Sequence, residues 1–291
     1  MALEFNKVVE QVYKLGRMLD EIDLNVGNRL DLAVERFYAA TDLDFIHERV
    51  AMTRRPDVSG YRGAAPLDPA YHEVICQVFP CPETPASATI VAADGSQIYP
   101  NDSSPLRYFL VNTGLFTYHH GADRVPDQFS IPRLFFHKDH VQDASGRTLS
   151  NRTIDARRTA TEMHELGARA WEVRDESRPL LALYDNHLLF WANSDVTGYL
   201  ELMRQYHGAL VHLHDAGAIL AGYVDNPTRS RVVIRLLHLL SLTEDEVRST
   251  DLSASRELEG VSDIQLFGSV LQPGDRSAMM VQNSPRNLKY R

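Results

Sequence analysis

The chain has 291 residues, 44% of them hydrophobic and 24% charged, with a formal net charge of −9. That is enough chain for one large domain, or a domain with an appendage, and the composition is ordinary for a water-soluble globular protein. A net negative charge argues against a protein that coats nucleic acid by charge alone, yet it leaves room for a recessed acidic site that holds metal ions.

Of the 30 basic residues only Lys7, Lys14, Lys138 and Lys289 are lysines. The rest are arginines, which grip phosphate in a bidentate fork, although genome composition explains the bias equally well. Cys76 and Cys81 are too few to complete a zinc site, and nothing suggests a disulfide framework. The start, MALEFNKVVEQ, is charged and lacks the apolar stretch of a signal peptide. No apolar run approaches the length that spans a bilayer. The expectation is a cytoplasmic protein without a membrane segment.

In chain order, residues 3–53 read as helical, with Val8, Val9, Val12, Leu15 and Leu19 at helical spacing. The Pro- and Gly-containing stretch 54–69 reads as a linker, followed by a short segment at 71–79. From Ala88 the character changes. ATIVAADGSQI predicts a strand, RYFLVNTGLFTYHHG (107–121) one bent strand or two short ones, and RLFFHKD (133–139) another. Residues 151–173 predict a long helix rich in Ala, Arg and Glu. LLALYDNHLLFWA (180–192) reads as a strand with Asp185 in its middle. A helix (196–214), a strand (218–225), a helix (229–240), a loosely polar region and a last strand (277–283) follow. Early strands in a row suggest antiparallel pairing, and later strands alternating with helices suggest parallel pairing. The simplest architecture is an α/β fold with a mixed sheet flanked by helices.

Two acids sit where burial should forbid them. Asp94 follows Ile90-Val91-Ala92-Ala93, and Asp185 interrupts LLALY and LLFW. A lone buried carboxylate is costly unless paired or metal-bound. Two such strands in one sheet could bring their carboxylates together, and a divalent cation would relieve the repulsion; oxygen-only ligands suit Mg²⁺ or Mn²⁺. A third ligand could come from Glu162 or Glu165, three residues apart on the long helix. Simpler readings compete. Asp94-Gly95 is also a hairpin-turn signal, Asp185-Asn186 could be a turn between two short strands, and glutamates on a helix are usually a solvated face. An aspartyl-phosphate chemistry would need a nucleophilic Asp two residues before Asp94, where the chain has Ala92. Arg157 or Arg158 could contact a phosphate, or simply pair with a nearby acid. His137-x-x-His140 and His212-x-His214-Asp215 have metal-like spacing but no companions, so they read as surface histidines. Trp171 and Trp191 read as core.

These residues carry a resemblance. The strand ending in Asp94-Gly95-Ser96 resembles the first motif of NurA-family nucleases, which have a ribonuclease H-like fold. Arg158 with Glu162 four residues later is similar to the family's Arg–Glu helix motif, and LALYD (181–185) to its second aspartate strand. Gly222-Tyr223-Val224 with Pro227 and Ser230 resembles its strand-to-helix segment, and LQPGDRSA (271–278) a late Pro-Gly-acid-Arg-Ser element. The resemblance implies an N-terminal helical region and linker over 1–70 and a ribonuclease H-like NurA domain over 71–291. It implies a metal-dependent DNA nuclease, a 5′–3′ exonuclease and single-strand endonuclease, in which Asp94, Glu162 and Asp185 hold two Mn²⁺ or Mg²⁺ ions and Arg158 contacts substrate. It also implies a homodimer that docks on a HerA-like hexameric DNA-translocating ATPase, in DNA end processing or phage defence. The sequence departs from the family at Asn186, where Gly is usual, and shows no equivalent of the family's further C-terminal strands, Tyr-Pro element and late His. The domain is therefore expected to be C-terminally incomplete, and a catalytically inactive subunit that regulates the ATPase is the alternative.

Overall fold

The computed structural model describes residues 8–67, 72–101, 103–190, 192–225 and 227–283. Residues 3–7 of the expected first helix, and Trp191, lie outside the described residues. The elements in order are α1 (Val9–Ala39), α2 (Leu43–Met52), β1 (Ala64–Pro66), β2 (Val78–Phe79), β3 (Ala88–Ile98), β4 (Phe109–His120) and β5 (Asp127–Phe135). They continue with α3 (Lys138–Val141), α4 (Asn151–Glu172), β6 (Leu180–Tyr184), α5 (Tyr199–Asp215), β7 (Ile219–Gly222), α6 (Val232–Leu240), α7 (Glu244–Ser249), α8 (Asp263–Val270), β8 (Arg276–Ser277) and β9 (Met280–Gln282).

Of the two readings of residues 107–121, the one strand is found, as β4. Other regions differ from the sequence reading. β5 starts at Asp127, six residues before the expected 133, and runs through Pro132. It tolerates that proline because it is an edge strand, where the missing N–H breaks no ladder. β6 ends at Tyr184, so Asp185 follows the strand rather than sitting inside it. The region read as loosely polar holds α7 and α8, each opened by a capping box, Thr243 with Glu246 and Ser262 with Gln265.

By contact the chain divides into two units, Glu83–Asp225 and Met1–Pro82 with Asn226–Arg291. By packing, the residues from 227 on group with the N-terminal helices.

In the unit Glu83–Asp225 the strands lie in the order β5-β4-β3-β6-β7. β5, β4 and β3 are antiparallel, and β3, β6 and β7 are parallel. α4 begins at Ser150, whose side chain accepts from the Thr153 N–H. Its buried stripe of Ala156, Ala160, Met163, Leu166 and Ala170 packs with Val91, Ala93, Leu180 and Ala182 of the sheet and with Leu202, Tyr206 and Leu213 of α5. Because side chains alternate along a strand, α4 and α5 cover the face carrying Val91 and Ala93. Phe116, Tyr118, Leu183 and Ile219 on the opposite face stay exposed.

In the other unit, α6 is apolar nearly all round and lies at the centre of a core with Phe37 of α1, Ile46 and Val50 of α2, Ala64 of β1 and Leu266 of α8. Its N-terminus has no cap of its own. The carboxylate of Asp263, the first residue of α8, supplies one from 30 residues away. It accepts from the N–H groups of Val232 (2.6 Å), Val233 (3.0 Å) and Ile234 (3.0 Å) and from the Ser230 hydroxyl (2.6 Å). The helix dipole adds to the attraction. On the same helix His238 is buried, and neither ring nitrogen meets a hydrogen-bond partner among the described residues. Burial, with the Arg36 and Arg256 cations behind it, pushes the imidazole below its ordinary value, against a weaker pull from Glu257 and Glu246.

Two outcomes follow. Asp263→Ala strands three backbone N–H groups, two of them buried, and should lower the unfolding free energy by about 3 kcal/mol, read from urea denaturation at constant slope. His238 binds protons less readily folded than unfolded, so the stability it contributes is present above pH 6.5 and is lost as pH falls below that value toward the lowered folded one. Urea midpoints between pH 7.5 and pH 5 should therefore fall in the parent and fall less in His238→Leu; equal slopes would remove His238 as the cause.

Candidate active site

The last paired residues of the parallel β3–β6 ladder are Ala93 and Tyr184. The next residues are Asp94 and Asp185. The register therefore delivers both carboxylates side by side, on strands about 4.8 Å apart, at the point where parallel pairing stops. β3 itself continues: Asp94 pairs with Gly114 and Gly95 with Thr113, and antiparallel pairing runs on to Ile98. The hairpin-turn reading of Asp94-Gly95 thus fails. Asp94 points to the face away from α4, because Ala93 before it lies in the α4 core.

On that face a cleft of about 850 Å³ is lined by Asp94, Asp185 and Asp225 together with Ala92, Ser96, Asn112, Gly114, Phe116, Leu183 and Tyr223, among others. Among the described residues the charged side chains of its lining are these three aspartates, with no Lys or Arg. Asp225 was missed in the sequence, although its place just after an apolar strand repeats the signal that picked out Asp94.

Glu162 arrives from the other face. It is buried in α4 and its carboxylate passes beneath Gly95, so close that any side chain at Gly95 would collide with its Oε1. Arg158 holds it, donating to Glu162 Oε1 (2.8 Å) and to the Gly95 carbonyl (3.0 Å), while the Tyr184 hydroxyl donates to Oε2 (3.1 Å). Burial pushes the Glu162 carboxyl above the usual carboxylate range. Arg158 and Tyr184 pull it back, and repulsion from Asp94 and Asp185 pushes it up again. Burial also raises the Tyr184 phenol, which keeps it a donor. Glu165, the other candidate, is also buried but pairs with Arg133 on the edge strand β5. Neither glutamate is on a solvated face.

Other residues singled out in the sequence lie elsewhere. Arg158 is committed to Glu162 and Gly95 and is absent from the cleft lining. Arg157 donates to the His140 carbonyl and stands over the Phe109 ring. His137 and His140 meet edge to face, and His212 lies against Trp171. Trp171 is not core: it is 38% exposed, stacked between His212 and Arg174.

Among the described residues no group of three His, Cys, Asp or Glu side chains stands close enough together to hold a metal ion. Asp94 and Asp185 open into the cleft, whereas Glu162 is turned toward Arg158 and Tyr184. The donor chemistry nevertheless fits a hard divalent cation. The candidates are all carboxylate oxygens, the cleft lacks any basic side chain, and Glu162 already feels the repulsion that a cation would relieve.

A family model described as the NurA domain matches residues 88–290, well over half of the chain. The chain belongs to the NurA family. Family membership and the mixed sheet together give a ribonuclease H-like fold, and membership supports a nuclease. No curated protein matches the chain. Similar solved structures include the NurA nuclease from Sulfolobus solfataricus, at 12% identity and TM-score 0.33 over 80% of this chain and 67% of that one. LC9-RNase H1 is similar at 10% identity and TM-score 0.26, over 50% and 66%. The foamy viral protease-reverse transcriptase, in a complex with RNA/DNA hybrid, is similar at 12% identity and TM-score 0.28, over 62% of this chain. The match spans only 21% of that viral chain. These likenesses are distant, and the assignment rests on the family match.

Gly95→Ala tests the passage beneath β3. The added methyl meets the end of a flexible side chain rather than backbone, so the strand should survive and the Glu162 carboxylate should move. Cleavage is expected to fall roughly ten- to a hundred-fold with an unchanged circular dichroism spectrum; retained cleavage would show that the Glu162 position is unimportant.

Proposed function

We propose that this NurA-family chain is a metal-dependent DNA nuclease that hydrolyses phosphodiester bonds at the Asp94–Asp185 cleft. The observation that carries the reading is the register that sets these two carboxylates side by side in a cleft without basic side chains, with Glu162 brought beneath Gly95. A polyanion does not enter three aspartates unaided, so cations are part of the binding surface. Asp94, Asp185 and Glu162 would hold Mn²⁺ or Mg²⁺, two ions in the family pattern. When bound, such ions activate water and neutralise charge on the phosphate.

The chain's own residues supply position. The β3–β6 ladder fixes the spacing of Asp94 and Asp185. Arg158 and Tyr184 hold Glu162 by both oxygens and keep it from swinging into the helix core. Gly114, opposite Asp94, leaves the floor beside the carboxylate free of a side chain. In keeping with the family resemblance, the activity would be 5′–3′ exonucleolytic and single-strand endonucleolytic. The protein would act as a cytoplasmic homodimer on a HerA-like ATPase, in end processing or phage defence.

The engagement of Glu162 by Arg158, and the lack of a gathered three-carboxylate cluster among the described residues, favour one second reading, a catalytically inactive subunit that binds and regulates the ATPase. One assay separates the two. End-labelled single-stranded DNA is incubated with the purified chain in Mn²⁺ or in EDTA, beside Asp94→Ala. Metal-dependent cleavage that drops to background in the variant is the expected outcome. Absence of cleavage in Mn²⁺ by a folded chain would favour the inactive subunit, and cleavage equal in both proteins would remove Asp94 from the site.

A further inference from the structure

The open face of the sheet is organised in rows that run across the strands, each about 7 Å from the next. Gly114 and Asp94 form one row, with Asp185 just past the ladder end. On one side the next row is Asn112 and Ser96, both polar. On the other it is Phe116, Ala92 and Leu183, with Gln128 of the edge strand at the row's end, and beyond that Tyr118, Ile90 and Leu181. The carboxylates thus stand at the boundary between a polar and an apolar half of one face. Phe116 and Tyr118 succeed each other along β4 on the apolar half, 40% and 39% exposed. Phe116 lines the cleft itself, with Ala92 beside it too small to cover its ring.

We propose that Phe116 and Tyr118 form a stacking platform for successive unpaired bases of single-stranded DNA, whose phosphate lies at the Asp94 row. The proposal deepens the nuclease reading of this cleft and rests on it. Diagonal neighbours on adjacent strands are about 7–8 Å apart, within reach of an aromatic side chain, so a base attached to a phosphate at Asp94 can meet the Phe116 ring. Aromatic rings spaced along a strand on an exposed sheet face hold single strands by stacking, without reading sequence. The charge pattern requires such a contribution. With no Lys or Arg in the cleft lining, the affinity that other nucleic-acid surfaces draw from basic side chains must come from bound cations and from the bases. A base-paired duplex keeps its base faces covered and cannot use the platform.

The test reads binding, so it stands whether or not the chain cleaves. A fluorescein-labelled phosphorothioate oligothymidylate, its abasic counterpart of equal length, and a duplex are titrated with the full chain in Mg²⁺. The variants are Phe116→Leu and Tyr118→Leu, which keep the face apolar and remove only the rings. Each variant should bind the oligothymidylate roughly ten-fold more weakly and the duplex as the parent does. The abasic strand should bind the parent weakly, and the variants no more weakly still. Equal affinity of the parent for the two single strands, or variants that bind like the parent, would overturn the platform. So would variants that leave DNA binding intact but change the oligomeric state by light scattering, which would make the face a protein-docking surface.

Discussion

The site depends on where one ladder stops. β3 and β6 pair in parallel from Thr89 with Leu180 to Ala93 with Tyr184, and then separate. A parallel ladder is buried and apolar because helices cover it, and Val91, Ala93, Leu180 and Ala182 meet that demand. One residue later the demand lapses in both strands at once, and both chains place an aspartate there. A slip of one residue in the register would send Asp94 and Asp185 to different levels and opposite faces. The same register puts Tyr184 on the covered face, where its hydroxyl can reach Glu162. The alignment of the two cleft aspartates and the anchoring of the helix glutamate are thus one geometric fact.

Coverage of a single face by α4 and α5 explains the rest of the cleft. The covered face takes the large core side chains, while the uncovered one carries Ala92, Gly114 and Ser130 beside Asp94. Small residues there leave backbone and carboxylate open to an approaching chain. The arginines of this unit are committed elsewhere: Arg158 to Glu162, Arg133 to Glu165, and Arg169 to Asp127, Glu172 and the Phe129 ring. An arginine-rich composition therefore does not translate into a basic cleft.

Much of this was legible in the chain itself, and the limits of legibility have physical causes. The strand at 88–98, the long helix and the suspicion attached to Asp94 and Asp185 came from apolar runs interrupted by acids, a pattern local in sequence. Apolar continuity also misled: residues after Asp185 are as hydrophobic as those before it, so the strand seemed to run to 192. Phe190 earns its burial from a loop position, packed on Tyr206. β5 looked too polar before residue 133 because an edge strand needs few apolar side chains. Glu162 and Glu165 read as solvent-facing because an i,i+4 pair such as Arg158–Glu162 is as common on a solvated helix face, and Arg133, which pairs with Glu165, lies on another element. The tie between α6 and α8 was out of reach for a similar reason: it depends on Asp263 accepting from backbone N–H groups about 30 residues earlier in the chain.

The two most consequential buried carboxylates show how burial alone fails to identify a functional acid. Asp263 accepts three backbone N–H groups and a hydroxyl, with a helix N-terminus aimed at it and no other acid named among its partners. Its negative charge is fully satisfied, and it serves as a structural pin. Glu162 is buried as deeply, yet it has one guanidinium, shared with the Gly95 carbonyl, and one phenol, and it faces two further aspartates across the strand. That balance leaves it short of positive charge. Among the described residues of the unit the nearby arginines are paired and the cleft lining has none. A carboxylate held in deficit beside an open cleft costs stability that a purely structural residue would have no reason to impose. In the proposed reading a cation entering from the Asp94 side would meet that deficit, a need that the fully partnered Asp263 does not have.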